Sequence, residues 1–303
     1  MEFDLRIGDA ANTAVDYALD HFAPALDVIS AAIGFVADGI KAALLAVPPE
    51  AGILVIVLLA LWRVGWRFAV FAAAALAVIM GMGLWKSTME TLSLVLAATA
   101  FAVAVGIPLG IAMARSTLVR AVARPVLDLM QTMPAFVYLI PAAMFFGLGA
   151  VPGTIATVIF SMPPVVRLTD LGIRQVDQEF IEAGLAFGCT DRQLLFKVQI
   201  PNALPSIMAG VNQTVMLALS MVVIASMIGA GGLGNTVLTG IQRLDVGLGF
   251  EGGVAVVALA VILDRITQSV GGSKPSGGLR ALLGRSRRMP ADAGGTAAPS
   301  AGR

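Results

Sequence analysis

Cysteine and histidine are almost missing from this chain, with Cys189 and His21 the single examples of each among 303 residues. A lone cysteine forms no internal disulfide, and one histidine leaves no Cys/His set to hold zinc. Ser, Cys and His are not arranged for nucleophilic catalysis, so the chain is not expected to be an enzyme. Charge is scarce too: only 13% of residues are Asp, Glu, Lys or Arg, and the net charge is +1, against about 25% charged residues in soluble domains. There is no basic stripe interleaved with aromatics, which removes nucleic acid from the expected partners. A GxxxxGK[ST] phosphate loop is also lacking, so ATP is not expected to bind this chain in the P-loop manner.

What is present is apolar. Hydrophobic residues make up 58% of the chain and the mean hydropathy is +0.89. They gather into runs near the roughly 20 residues a helix needs to cross a hydrocarbon core. The alternating pattern of membrane barrels is absent, so backbone groups in lipid must be satisfied within helices. The expected fold class is all-α and polytopic, with candidate spans at about 45–62, 66–84, 91–114, 126–149, 152–171, 204–228 and 250–270. Pro48, Pro49 and Glu50 interrupt the first, which leaves counts of six and seven both open.

Residues 1–45 read as an amphipathic helical region, with Val15, Leu19, Phe22, Leu26, Ile29 and Ile33 on one face and Asp9, Asp16, Asp20, Asp27 and Asp38 on the other. The opening MEFDLRIGD is acidic where a secretory signal would be basic, so the chain is read as mature. Seven crossings put Arg63, Arg67, Arg115, Arg120, Arg124, Arg174, Arg192 and Lys197 on one side. By the positive-inside rule that side is cytoplasmic, with the amino terminus outside and the carboxyl terminus inside. An acidic helix avoiding the anionic cytoplasmic leaflet agrees. Residues 46–270 form the membrane domain, and the Gly-, Ser-, Ala- and Pro-rich 271–303 reads as a disordered cytoplasmic tail.

Ion-driven carriers need carboxylates or histidines inside their spans, yet Asp128, Arg167, Asp170, Asp264 and Arg265 all fall near expected cytoplasmic ends. The long polar interruption is elsewhere, at about 172–202, reading GIRQVDQEFIEAGLAFGCTDRQLLFKVQIP from Gly172. Helical periodicity on both sides of Gly188 predicts two short surface helices, with a solvated loop as the alternative. Glu182-Ala183, then Gly188, then Val198-Gln199-Ile200-Pro201 resembles the EAA loop of ABC importer permeases, whose pattern is EAA, three residues, G, nine residues, I-x-L-P. Gly184 departs from it in place of the second alanine, as do Val198 and Ile200 in place of Ile and Leu.

MQTMPAFVYLIPA from Met130, IFSMPPVVRLT from Ile159, MAGVNQTVMLALSMVVIASMIGAGGLG from Met208 and LDRITQ from Leu263 resemble the glycine betaine/proline and related quaternary-amine permeases, over roughly Leu84 to Val270. The resemblance implies a type I ABC importer permease. It places Glu182, Ala183, Gly184, Gly188 and Pro201 at the contact with a cytoplasmic ATPase, which would bind ATP and Mg in this chain's stead. Two ATPase copies are implied, together with a second permease subunit, expected as a homodimer or a close homologue. A separate extracytoplasmic binding protein and a location in the bacterial cytoplasmic membrane complete the set. The resemblance leaves the solute open among glycine betaine, choline, carnitine, proline and trimethylamine N-oxide.

Asn212, Gln213, Thr214, Met216 and Ser220 in the sixth span either bond between helices or line a path, with Phe136 and Tyr138 as further path candidates. The chain has only 3 Trp and 2 Tyr. That suits a conduit better than a receptor that cages a quaternary ammonium in aromatic rings. Gly106 and Gly110 form a GxxxG expected to serve helix packing. Gly229, Gly231 and Gly234 match GxGxxG but follow a span, which predicts an extracytoplasmic turn rather than a dinucleotide site. An ion-coupled carrier and an osmotically gated channel remain the rival classes.

Overall fold

The structure, a computed structural model, describes residues 7–271. The expected disordered tail, apart from Gly271, lies outside the described residues. In chain order the helices are α1 Ile7–Ala46, α2 Pro49–Arg63, α3 Trp66–Gly81, α4 Trp85–Arg115, α5 Thr117–Thr132, α6 Leu139–Phe146, α7 Ala150–Arg174, α8 Gln178–Ala186, α9 Asp191–Gln193, α10 Ile200–Ala225, α11 Gly232–Arg243 and α12 Val246–Gly271. No strand occurs among the described residues, as a backbone that must satisfy its own polar groups in lipid requires.

Five stretches are long and apolar enough to cross a membrane: Leu19–Ala46, Trp85–Arg115, Ala150–Arg174, Asp191–Ile228 and Val246–Ser269. The first two expected spans appear as the α2–α3 hairpin, whose helices of 15 and 16 residues reach only about 23 Å at 1.5 Å per residue. The expected crossing at 126–149 is not straight. It breaks at Met133–Pro134 and turns through 110° between Thr117–Thr132 and Ala135–Phe146. Met133, held extended (φ −71°, ψ 136°) by the following proline, ends α5. The amphipathic α5 is fastened to α7 by ion pairs: Arg120 reaches Asp170 at 3.0 Å, and Arg167 pairs with Asp128.

The amino-terminal region is one continuous helix in which Ile33 and Ala37 are buried, while Phe22 and Ile29 of the expected apolar face are exposed, because the rest of the bundle meets only the second half of the helix. Gly34 faces Val151, and Lys41 pairs with Glu90 at 3.1 Å. Those contacts fall on the opening turns of α7 and α4, so α1 crosses the two helix starts.

At the centre stands α7, flanked by α4 and α10. Glycines set the spacing: a Cβ on Gly106 would meet Val165 Cγ1 at 2.5 Å, and one on Gly110 would meet the carbonyl oxygen of Val166 at 2.7 Å. On the other flank, a Cβ on Gly210 would lie 2.9 Å from the Cα of Val165. Close backbone approach of this kind is how helices associate where lipid tails are as apolar as leucine. The expected packing role of the Gly106/Gly110 pair is what the structure shows. Pro163 and Pro164 are buried within α7, where their missing N–H groups are tolerated because neighbouring helices enclose them.

Gly110→Val is expected to lower the melting temperature of the detergent-purified protein, with overpacking costing about 1–3 kcal/mol. Gly39→Ala, where an added Cβ meets nothing within 4 Å, is expected to leave it unchanged or slightly raised.

Candidate coupling segment and translocation face

The interruption between α7 and α10 folds as one short helix, α8, and a locked turn at Gly188; the second expected short helix is instead the start of a helix that runs unbroken from α9 through a π-helical turn into α10. At the end of α8 the Gly188 N–H donates to the carbonyl of Leu185 at 2.9 Å and the Cys189 N–H to that of Gly184 at 3.0 Å. This paired pattern is a Schellman motif, and it requires the left-handed conformation that Gly188 adopts at φ +76°. A capping box follows: the Thr190 hydroxyl accepts from the Gln193 N–H, and the Gln193 side-chain oxygen accepts from the Thr190 N–H. Both ends of the turn are thereby satisfied, which fixes the angle between α8 and α9.

Gly184 is buried in this segment, and a Cβ there would meet Leu194 Cδ1 at 2.9 Å and Val198 Cγ2 at 3.6 Å. Glycine gives α8 its closest approach to the turn that follows α9, and an alanine here needs only the flexible end of Leu194 to move. That turn, Leu194–Gln199, is π-helical. Pro201 has no N–H to donate to the Lys197 carbonyl, and a wider turn absorbs the missing bond. Pro201 is exposed in the first turn of α10, so the segment continues into that helix without a flexible joint. Leu195 buries itself beside Ile173, Ala203 and Ile207, and Arg115 at the end of α4 donates to the Asp191 carbonyl at 3.4 Å.

The opposite face of α8 has no partner within the described chain. Glu182 and Ala183 are exposed, and around them Phe180, Leu185 and Phe187 stand 51%, 52% and 90% exposed. Contiguous exposed aromatic and aliphatic groups beside a carboxylate mark a surface meant to be covered.

On α10 the polar residues divide. Gln213, Met216 and Ser220 lie on an exposed stripe with Pro205 and Ala209, and the Ser220 hydroxyl donates to its own helix at the Met216 carbonyl, 3.0 Å away. Thr214 is buried. Asn212 turns to α12, where its Nδ2 donates to Asp264 Oδ1 at 2.9 Å. Phe136 is 54% exposed, whereas Tyr138 is only 8% exposed and its hydroxyl donates to the Met130 carbonyl at 2.6 Å. Tyr138 therefore braces the bend after α5, packed edge-on to Phe160.

At the other end of the bundle Gly229, Gly231 and Gly232 take positive φ in the turn between α10 and α11, where the glycine-rich motif predicts a turn. Glu90 Oε2 accepts from the Gly232 N–H at 3.2 Å, and Thr91 Oγ1 accepts from the Leu233 N–H at 2.8 Å. Sequence reasoning missed the role of Glu90. Its only trace there is a carboxylate at the start of an apolar run.

A bundle of membrane-length helices with a short surface helix between two of its central spans, one face of it uncovered, is a polytopic membrane protein. Residues 106–270 match the family described as binding-protein-dependent transport system inner membrane component. The chain is 51% identical over 267 residues to the glycine betaine/proline betaine transport system permease protein ProW of Escherichia coli K12, covering 88% of this chain and 75% of that one. It is 50% identical over 255 residues to the glycine betaine/carnitine transport permease protein GbuB of Listeria monocytogenes, covering 83% of this chain and 90% of that one. To the glycine betaine transport system permease protein OpuAB of Bacillus subtilis it is 44% identical over 274 residues, covering 90% and 97%. A chain of the inward-facing MetNI methionine ABC transporter shares the fold, with a TM-score of 0.53 at 23% identity over 69% of this chain and 98% of that one. The chain belongs to the binding-protein-dependent transport inner membrane components. It is a transport subunit of an inner membrane and not an enzyme, and its family implies an ATPase, a binding protein and a second permease as partners.

Gly184→Leu is expected to push α8 off Leu194 and Val198 and to cut binding-protein-stimulated ATP hydrolysis by the assembled complex by about 5-fold or more, the lower bound for coupling between sites. Gly184→Ala needs only the flexible end of Leu194 to shift, and is expected to keep that stimulation. Phosphate release from the purified complex measures both.

Proposed function

We propose that this chain forms the translocation path of an ATP-driven importer for glycine betaine or a related compatible solute, among them carnitine, choline, proline and trimethylamine N-oxide. The observation that carries the reading is the continuity of α8, its locked turn, the π-helical turn and α10. A push on the exposed Glu182 face of α8 reaches the Gln213, Met216 and Ser220 stripe of α10 as rigid-body movement. Glu182, Ala183, Gly184, Gly188 and Pro201 are the coupling residues: the first two at the contact, the glycines setting its shape, and the proline joining it to the span. Gln213, Met216, Ser220 and Phe136 face the path. Weak polar contacts of this kind suit a zwitterion that must leave again, and the high identity to permeases named for glycine betaine supports that solute class.

The assembly consists of two copies of this chain, or one with a close homologue, and two cytoplasmic ATPases that hold ATP and Mg. A separate binding protein delivers solute from outside. The clustering of Arg115, Arg120, Arg124, Arg167, Arg174, Arg192 and Lys197 around the α4, α7 and α8–α9 ends supports a cytoplasmic face there, with the amino terminus outside and the carboxyl terminus inside. Residues 1–45, 46–270 and 271–303 serve as the outer region, the membrane domain and the cytoplasmic tail. Nucleotide-driven closure of the ATPases would bias a two-state bundle through the contact at α8.

Uptake of labelled glycine betaine into vesicles that carry the complex, with and without internal ATP, tests this. ATP-dependent uptake is expected, and Glu182→Lys is expected to reduce it by about 10-fold, within the range of coupling free energies between sites. Uptake that needs no ATP, or that is driven by a proton or sodium gradient, would overturn the reading in favour of a channel or a carrier.

A further inference from the structure

Between α10 and α12 lies a cavity of about 330 Å³, lined by Pro205, Met208, Ala209, Asn212, Gln213 and Gln268. Its volume is in the range of small-ligand clefts, roughly 300–1,000 Å³. It opens beside the exposed stripe of α10, on the half of that helix nearer the coupling segment. Two of its lining amides share one partner behind the wall: Asn212 Nδ2 donates to Asp264 Oδ1 at 2.9 Å, and Gln268 Nε2 donates to the same oxygen at 2.7 Å.

That arrangement has two electrostatic consequences. A carboxylate only accepts, so it draws the NH₂ ends of both amides and turns their oxygens elsewhere. Asn212 Oδ1 is left buried with no hydrogen-bond partner, an uncommon state that asks for an explanation. Both bonds also fall on Oδ1, so Asp264 Oδ2 receives none among the described residues. The cavity is lined by the exposed amides of Gln213 and Gln268, and behind Asn212 and Gln268, near the carboxyl end of α12, stands the Asp264 carboxylate, which forms no ion pair among the described residues. By contrast, the larger cavity of about 680 Å³ between α3 and α12 is lined by Phe71, Val78, Phe250, Val254 and similar groups. It offers no side-chain acceptor.

We propose that the Asn212, Gln213 and Gln268 cavity, backed by Asp264, is a transient subsite for the cationic ammonium head of the solute on the inner half of the path. It rests on the import reading above and adds to it the residues that receive the charged end. A bulky alkylammonium is weakly hydrated and needs diffuse negative potential rather than a tight coordination shell, which amides backed by a carboxylate supply. The subsite holds the head loosely and passes it on.

The test uses the assembled complex in nanodiscs without nucleotide, in a Cys189→Ser background with Ala209→Cys as the reporter on the cavity wall. Maleimide labelling of that thiol is followed with added glycine betaine, choline, or 3,3-dimethylbutanol, which has the shape of choline but no charge. Glycine betaine and choline are expected to slow labelling by the factor 1 + [L]/Kd, about tenfold at ten times Kd. The neutral alcohol is expected to have no effect. Asp264→Asn keeps an acceptor for Asn212 and Gln268 while it removes the charge, and it is expected to abolish the protection with the melting temperature unchanged. Equal protection in the Asp264→Asn variant, protection by the alcohol, or none in the chain with Asp264 intact would overturn the proposal. If the variant does not fold, the comparison of choline with the alcohol decides alone. ATP-dependent uptake by the unaltered complex, measured in parallel, separates failure of this subsite from failure of the import reading.

Discussion

The structure depends on how closely α4 and α10 approach α7. In lipid there is no hydrophobic force to press apolar helices together, so association rests on packing and on hydrogen bonds between helices. Gly106, Gly110 and Gly210 supply the first by letting neighbouring side chains and backbone fill the space where a Cβ would stand. Gly172 does the same near the end that carries α8 and α9, where a Cβ would meet Ser206 Cβ at 2.7 Å. Such contacts tolerate few intermediate arrangements, since closely packed interfaces favour discrete arrangements over continuous deformation.

Polar groups are spent at the two ends of that packed centre. On one end Arg120, 16% exposed, reaches the nearly buried Asp170 and also donates to the Met113 carbonyl, tying α4, α5 and α7. Removal of one partner from such a pair is far more damaging than the pair is stabilising, because the other charge is left uncompensated. On the opposite end Glu90 joins Lys41 of α1 to the first N–H of α11, so the amino-terminal helix and the glycine-rich turn share one carboxylate. The coupling segment is fastened into the first of these ends through Arg115, Leu195 and the π-helical turn.

Stiffness in the segment has a local origin. The Schellman motif and the capping box leave the turn between α8 and α9 with its backbone groups satisfied, and Gly184 leaves room for Leu194 against α8. A loop of the same length without these bonds would absorb a partner's movement within itself. The segment is bonded onward to α4 through Arg115 and packed on α7 and α10 through Leu195, and α10 is in turn joined to α12 through Asn212 and Asp264.

The sequence by itself determined the all-helical membrane class, the approximate places of the spans, the short helix that ends at Gly188, and the packing role of Gly106 and Gly110. These follow from run length, from spacing along one helix and from residue types with narrow conformational uses. Only the tertiary structure decided that α5 and α6 bend by 110°, that Tyr138 turns inward while Gln213 and Ser220 face out, that Gly184 lies against Leu194, and that Asn212 meets Asp264. In a soluble helix the apolar face marks the buried side. In a membrane the outside is as apolar as the inside, so periodicity in hydropathy cannot tell lipid from neighbour from path. Asn212 and Gln213 are adjacent in sequence and equally polar, and only the position of α12 sends one to a carboxylate and leaves the other exposed.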